Sequence, residues 1–141
     1  MESKTSLWIG RVLSALFVLF MLGASIAPKL LSIPIAEETL ALLGWPAGYA
    51  FAIGVLELAL VILYVIPRTN VFGAVLMTGL LGGAIATQIR AEMPLFSNIL
   101  FGVYLGLFMW GSLWLRSAAL RHIFPVSQVT EGTGIVEVTD R

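Results

Sequence analysis

Cysteine is absent from this chain and histidine occurs once, at His122. Without a thiol there is no disulfide exchange, no thiolate nucleophile, no iron-sulfur ligation and no Cys-based zinc site. His122 has no second histidine or carboxylate at helical spacing, so no metal, haem or nucleotide site is expected. Charge is also scarce. Charged residues make up 11% of the chain, where a soluble domain carries about 25%, and too few remain to cover a water-facing surface. Net charge is zero, which leaves no basic field to attract nucleic acid.

What the chain does have is apolar length. Hydrophobic residues make up 59% of it and the mean hydropathy is +0.99. Four stretches approach the roughly 20 residues that cross a hydrocarbon core: Leu7 to Ala27, Ala47 to Ile66, Val71 to Gln88 and Leu95 to Leu115. Turn chemistry separates them, at Pro28-Lys29, Pro67-Arg68-Thr69-Asn70 and Arg90-Ala91-Glu92-Met93-Pro94. The last two connections are short enough to make their helices antiparallel neighbours. The expected fold is therefore all-α, an integral membrane four-helix bundle.

In the longer connection, Ile35, Thr39, Leu40 and Leu43 recur at helical spacing, which predicts a short interfacial helix from Pro34 to Leu43, stopped by Gly44. The four-span domain is expected over residues 1–121. Residues 122–141 read as a polar tail, in which Val129, Ile135, Val136 and Val138 allow a brief hairpin. Lys4, Arg11, Arg68, Arg116 and Arg121 fall on one side, against Lys29 and Arg90 on the other. The positive-inside rule then predicts a multi-pass protein of the bacterial cytoplasmic membrane with both termini cytoplasmic. Trp8, Trp45, Trp110 and Trp114 lie near the predicted boundaries as interfacial anchors. A cleaved signal peptide is the competing reading of the first stretch, opposed by Arg11 at its start and by Pro28 after the apparent cut.

Glu57 stands among apolar neighbours from Ile53 to Ile66, and a carboxylate at that depth needs a partner or a proton. Counting about 1.5 Å per residue puts Arg11 within about 8 Å of its depth, so an Arg11 to Glu57 ion pair is expected. It serves either to fix helix register or to line a ligand or proton path. A second polar group, Thr87, Gln88 and Arg90 with Ser97 and Asn98, sits at the other face, where it caps helices or meets a polar head. Gly79 with Gly83 and Gly102 with Gly106 each form G-x-x-x-G, read as helix packing within the bundle or in a homodimer. The Gly79-Leu80-Leu81-Gly82-Gly83 segment lacks the Lys-Ser or Lys-Thr of a phosphate loop.

Trp8-Ile9-Gly10-Arg11-Val12-Leu13-Ser14, Gly54-Val55-Leu56-Glu57-Leu58, Ile66-Pro67-Arg68-Thr69, Gly79 to Ala84 and Ala86-Thr87-Gln88-Ile89-Arg90 occur in that order. Together they resemble the DoxX-like family of bacterial membrane proteins, from about Trp8 to Arg121. The resemblance implies a four-span bundle, with Arg11, Glu57, Arg68 and the Gly79 to Gly83 segment at typical positions. More distantly, the chain is similar to the small membrane subunit of a thiosulfate:quinone oxidoreductase, which implies quinone chemistry. Where the family often has histidine after Ala-Thr, this chain has Gln88, which cannot titrate.

The leading functional expectation is an accessory or ligand-binding membrane subunit contacting a quinone or another apolar ligand near Glu57. Such a subunit is not itself an enzyme; if catalytic, it belongs to a quinone-linked oxidoreductase. The alternative is a small proton-linked transporter or permease acting as a dimer. Partners on these readings are the lipid bilayer, a second copy and a soluble oxidoreductase.

Overall fold

The computed structural model describes residues 3–124. Among them, three helices are long and apolar enough to cross a membrane: α1 (Lys4–Leu30), α4 (Asn70–Arg90) and α5 (Leu95–Arg116). The remaining long helix, α3 (Tyr49–Val65), is apolar but for Glu57 and 17 residues long, at the lower end of what spans a hydrocarbon core. Two shorter helices complete the fold, α2 (Pro34–Leu42) and α6 (Ala118–Ile123). The all-α membrane bundle expected from the sequence is what the described residues form. α6 crosses the expected boundary at residue 121, while the hairpin expected over Val129 to Val138 lies outside the described residues.

The chain runs up and down. α3 packs on α4, α4 on α5, and α1 closes the ring against α5 and α3. The end holding Lys4, the Ile66 to Thr69 turn and Arg116 is here termed proximal; the end holding α2 and the Ala91 to Pro94 turn is distal. Pro67 and Pro94 break the ladder at the tight turns, and Glu92 enters the left-handed region at φ 53°.

α1 is longer than its predicted span because Pro28 does not end it. The segment Met21–Ile26 is wound as a π-helix, and the Ala27 N–H reaches back to the Leu22 carbonyl. This wider turn absorbs Pro28, which has no N–H to donate and would otherwise crowd the preceding turn. Helical winding therefore continues to Leu30 and carries Lys29 into the bundle.

The two halves of the bundle pack differently. In the proximal half, Phe17, Val61, Tyr64, Ala74, Met77, Met109 and Leu113 form a buried core. Gly10 lets α1 close on α5, since a Cβ there would stand 3.0 Å from the Ser112 carbonyl oxygen. Gly73 does the same between α4 and α3, where a Cβ would come within 2.5 Å of the Tyr64 nitrogen. In the distal half α2 packs on α3, with Ala36 and Leu40 buried against Ala50. Gly44 and Gly48, at φ +81° and +91°, turn the chain from α2 into α3.

Candidate functional site

The distal half holds a half-open cavity of about 640 Å³. Side chains of α1, α3, α4 and α5 wall it and α2 roofs it, through residues such as Met21, Leu40, Leu56, Leu80, Ile85 and Leu105. Most of the lining is apolar. Its charged residues lie on the α1 and α3 side, where Lys29 and Glu57 group with Ser25.

Glu57 is buried, and its partner is Lys29. The ammonium lies 2.7 Å from Oε1 and 2.9 Å from Oε2 of the carboxylate. Lys29 also donates to Ser25 Oγ at 2.7 Å, and the Ser25 hydroxyl donates to Glu57 Oε2 at 2.9 Å. Ser25 and Lys29 are four residues apart and share one face of α1. Gly54 permits the approach, because a Cβ there would stand 2.8 Å from the Lys29 Cβ. The Lys29 backbone thus lies level with Gly54, and its side chain reaches about one helical turn deeper to Glu57. The ion pair is neutral as a unit, which is how a membrane interior tolerates two charges.

The expected Arg11 to Glu57 pair does not form. Arg11 is exposed on the proximal half of α1, 18 residues from Lys29 and so about 27 Å away along the helix. Depth excludes the pairing, because with Lys29 level with Gly54 the Arg11 backbone lies about 22 Å along the axis from the level of Glu57, and lateral packing agrees. The proximal half of α1 packs chiefly on α5, and the distal half of α1 is what runs against α3. Lys29, expected in a loop outside the span, was the missed residue. Ser25 and Lys29 at i, i+4 spacing, one helix before the buried acid, were the signal for it.

The distal polar residues do not converge on one another. Thr87 donates to the Gly83 carbonyl of its own helix. Arg90 donates to the Leu43 carbonyl at 2.7 Å, fastening α4 to the C-terminal end of α2. Ser97 and Asn98 bond to each other. Thr87 and Gln88 line the cavity, and Gln88 Oε1 is buried with no hydrogen-bond partner among the described residues.

The glycine motifs also divide. Gly102 packs, its Cβ position lying 2.8 Å from Ile85 Cγ1, whereas a Cβ on Gly79, Gly83 or Gly106 would meet nothing within 4 Å. Packing within the bundle is therefore corrected for those three. Gly79 and Gly83 instead widen the cavity they line. His122 is exposed near the end of α6.

The sequence model of the DoxX-like family matches residues 12–112. No curated protein and no solved structure matches the chain.

Proposed function

We propose that this chain, which belongs to the DoxX-like family, is a membrane-embedded binding subunit for an apolar molecule carrying a small polar head. The observation that carries the reading is the cavity of about 640 Å³ with the Lys29–Glu57 pair in its wall. Ligand sites typically enclose about 300–1,000 Å³ of mostly apolar surface with a few convergent polar groups. Its position, in the distal half of helices that cross lipid, favours a ligand drawn from the bilayer. A quinone has a suitable form, a ring with polar substituents on an isoprenoid chain. The accessory-subunit reading follows from the same feature, since a neutral, mutually bonded Lys-Glu-Ser group holds and orients more readily than it reacts.

The proximal end is assigned to the cytoplasmic side of a bacterial inner membrane. Lys4, Arg11, Arg68, Arg116 and Arg121 support that assignment. Lys29 no longer opposes it, because its charge is spent inside the bundle.

The test is photolabelling in lipid nanodiscs with a decanol bearing a mid-chain diazirine, followed by peptide mapping. Saturable labelling concentrated on residues 35–43 and 80–88, and lost in Gly83→Phe, is expected. Uniform labelling of lipid-facing residues that never saturates would overturn the reading.

A further inference from the structure

The hydrogen bonds of the Ser25, Lys29 and Glu57 group leave a chemically one-sided surface. An ammonium has three donors, and Lys29 directs hydrogen bonds to Ser25 Oγ, Glu57 Oε1 and Glu57 Oε2. The Ser25 proton goes to Glu57 Oε2. The ammonium and hydroxyl hydrogens of this group are turned toward its own oxygens. Acceptors remain: a carboxylate offers about four lone-pair positions and a hydroxyl oxygen two. The described contacts use one at Oε1, two at Oε2 and one at Ser25 Oγ. Farther up the cavity wall the hydroxyls are also committed as donors, Thr87 to the Gly83 carbonyl and Thr39 to the Ile35 carbonyl.

We infer that the Glu57 end of the cavity selects a head group that donates a hydrogen bond, such as a phenol, an alcohol or an N–H, over its carbonyl or ether counterpart. This rests on the binding reading above and names the chemical class the site takes. A hydroxyl placed against Glu57 gains a bond to an ionised acceptor in a dry surrounding, where such bonds are about twice as strong as neutral ones. A carbonyl or ether oxygen there faces the lone pairs of Glu57 and finds the Lys29 ammonium already turned to Ser25 and Glu57, so it loses solvation for little return. Carbonyl heads find N–H donors nearer the mouth, on the Gln88 amide and the Trp45 indole, which also line the cavity. For a redox pair that differs by a ring hydroxyl, the hydroxyl-bearing form is the one held at the Glu57 end.

The experiment is competition against the diazirine decanol by 4-decylphenol and by its methyl ether, at matched mole fractions in the nanodisc lipid. The two competitors share tail and ring and differ by one donor. The phenol is expected to compete at least about tenfold more effectively, the value of one charge-assisted hydrogen bond. In Lys29→Met/Glu57→Leu, which removes both charges and so avoids stranding one, the preference is expected to fall within about twofold. Equal competition in the natural chain, or a tenfold preference that survives in the double variant, would overturn the inference while leaving the cavity reading standing. Labelling that never saturates would overturn both.

Discussion

A lysine near the end of a membrane helix ordinarily turns its ammonium out to the headgroups, whereas Lys29 turns inward to a carboxylate. Its side chain is 15% exposed and that of Glu57 9%, so neither charge relies on solvent. Removing one partner leaves the other uncompensated, at a cost of about 3–5 kcal/mol for a buried pair. Lys29→Met and Glu57→Leu are each expected to lower thermal stability in a fixed detergent far more than Lys29→Met/Glu57→Leu does. Additive losses in that cycle would show that the two residues are not coupled. The acid's need for a partner was legible in the sequence, because Glu57 stands within an unbroken apolar run. The identity of the partner was not: residue counting gives depth along a helix axis, and the choice between Arg11 and Lys29 depends on which half of α1 runs beside α3.

At the scale of elements, α2 covers the cavity. It is fastened at both ends, by the Gly48 N–H donating to Glu37 at 3.1 Å and by Arg90 donating to the Leu43 carbonyl at 2.7 Å. The Arg90 charge also suits the negative end of a helix. Arg90→Ala is expected to speed amide hydrogen exchange over residues 34–43 while the four long helices keep their protection; an unchanged α2 would contradict this latch. Glycines separate by what they face. Gly73→Ala forces α3 and α4 apart, because backbone lies where the methyl would go, and a loss of about 1–3 kcal/mol is expected from such overpacking. Gly79→Ala meets open space and is expected to be neutral or to gain up to about 1 kcal/mol from helix propensity. Unfolding curves of the two variants separate the cases, and equal losses would contradict them. The G-x-x-x-G spacing was plain in the sequence, but it shows only that a helix face is small. Whether that face meets another helix or a cavity depends on how the helices pack, which the spacing does not record.

Across the whole molecule, the four antiparallel passes were readable from apolar length and short turns, while the cavity was not, since volume depends on how the passes lean. The native absence of cysteine makes sidedness directly measurable. A cysteine at Asn98 is expected to react with a membrane-impermeant maleimide in intact cells and one at Arg68 only after permeabilisation; the reverse pattern would invert the assigned orientation. The binding claim itself is tested most directly by native mass spectrometry of the protein released from its own membrane. The natural chain is expected to retain one apolar molecule per copy, and Gly83→Phe, folded and equally stable, to retain none. A natural chain that emerges bare, or a filled variant that keeps the same molecule, would contradict a ligand site beside Lys29 and Glu57.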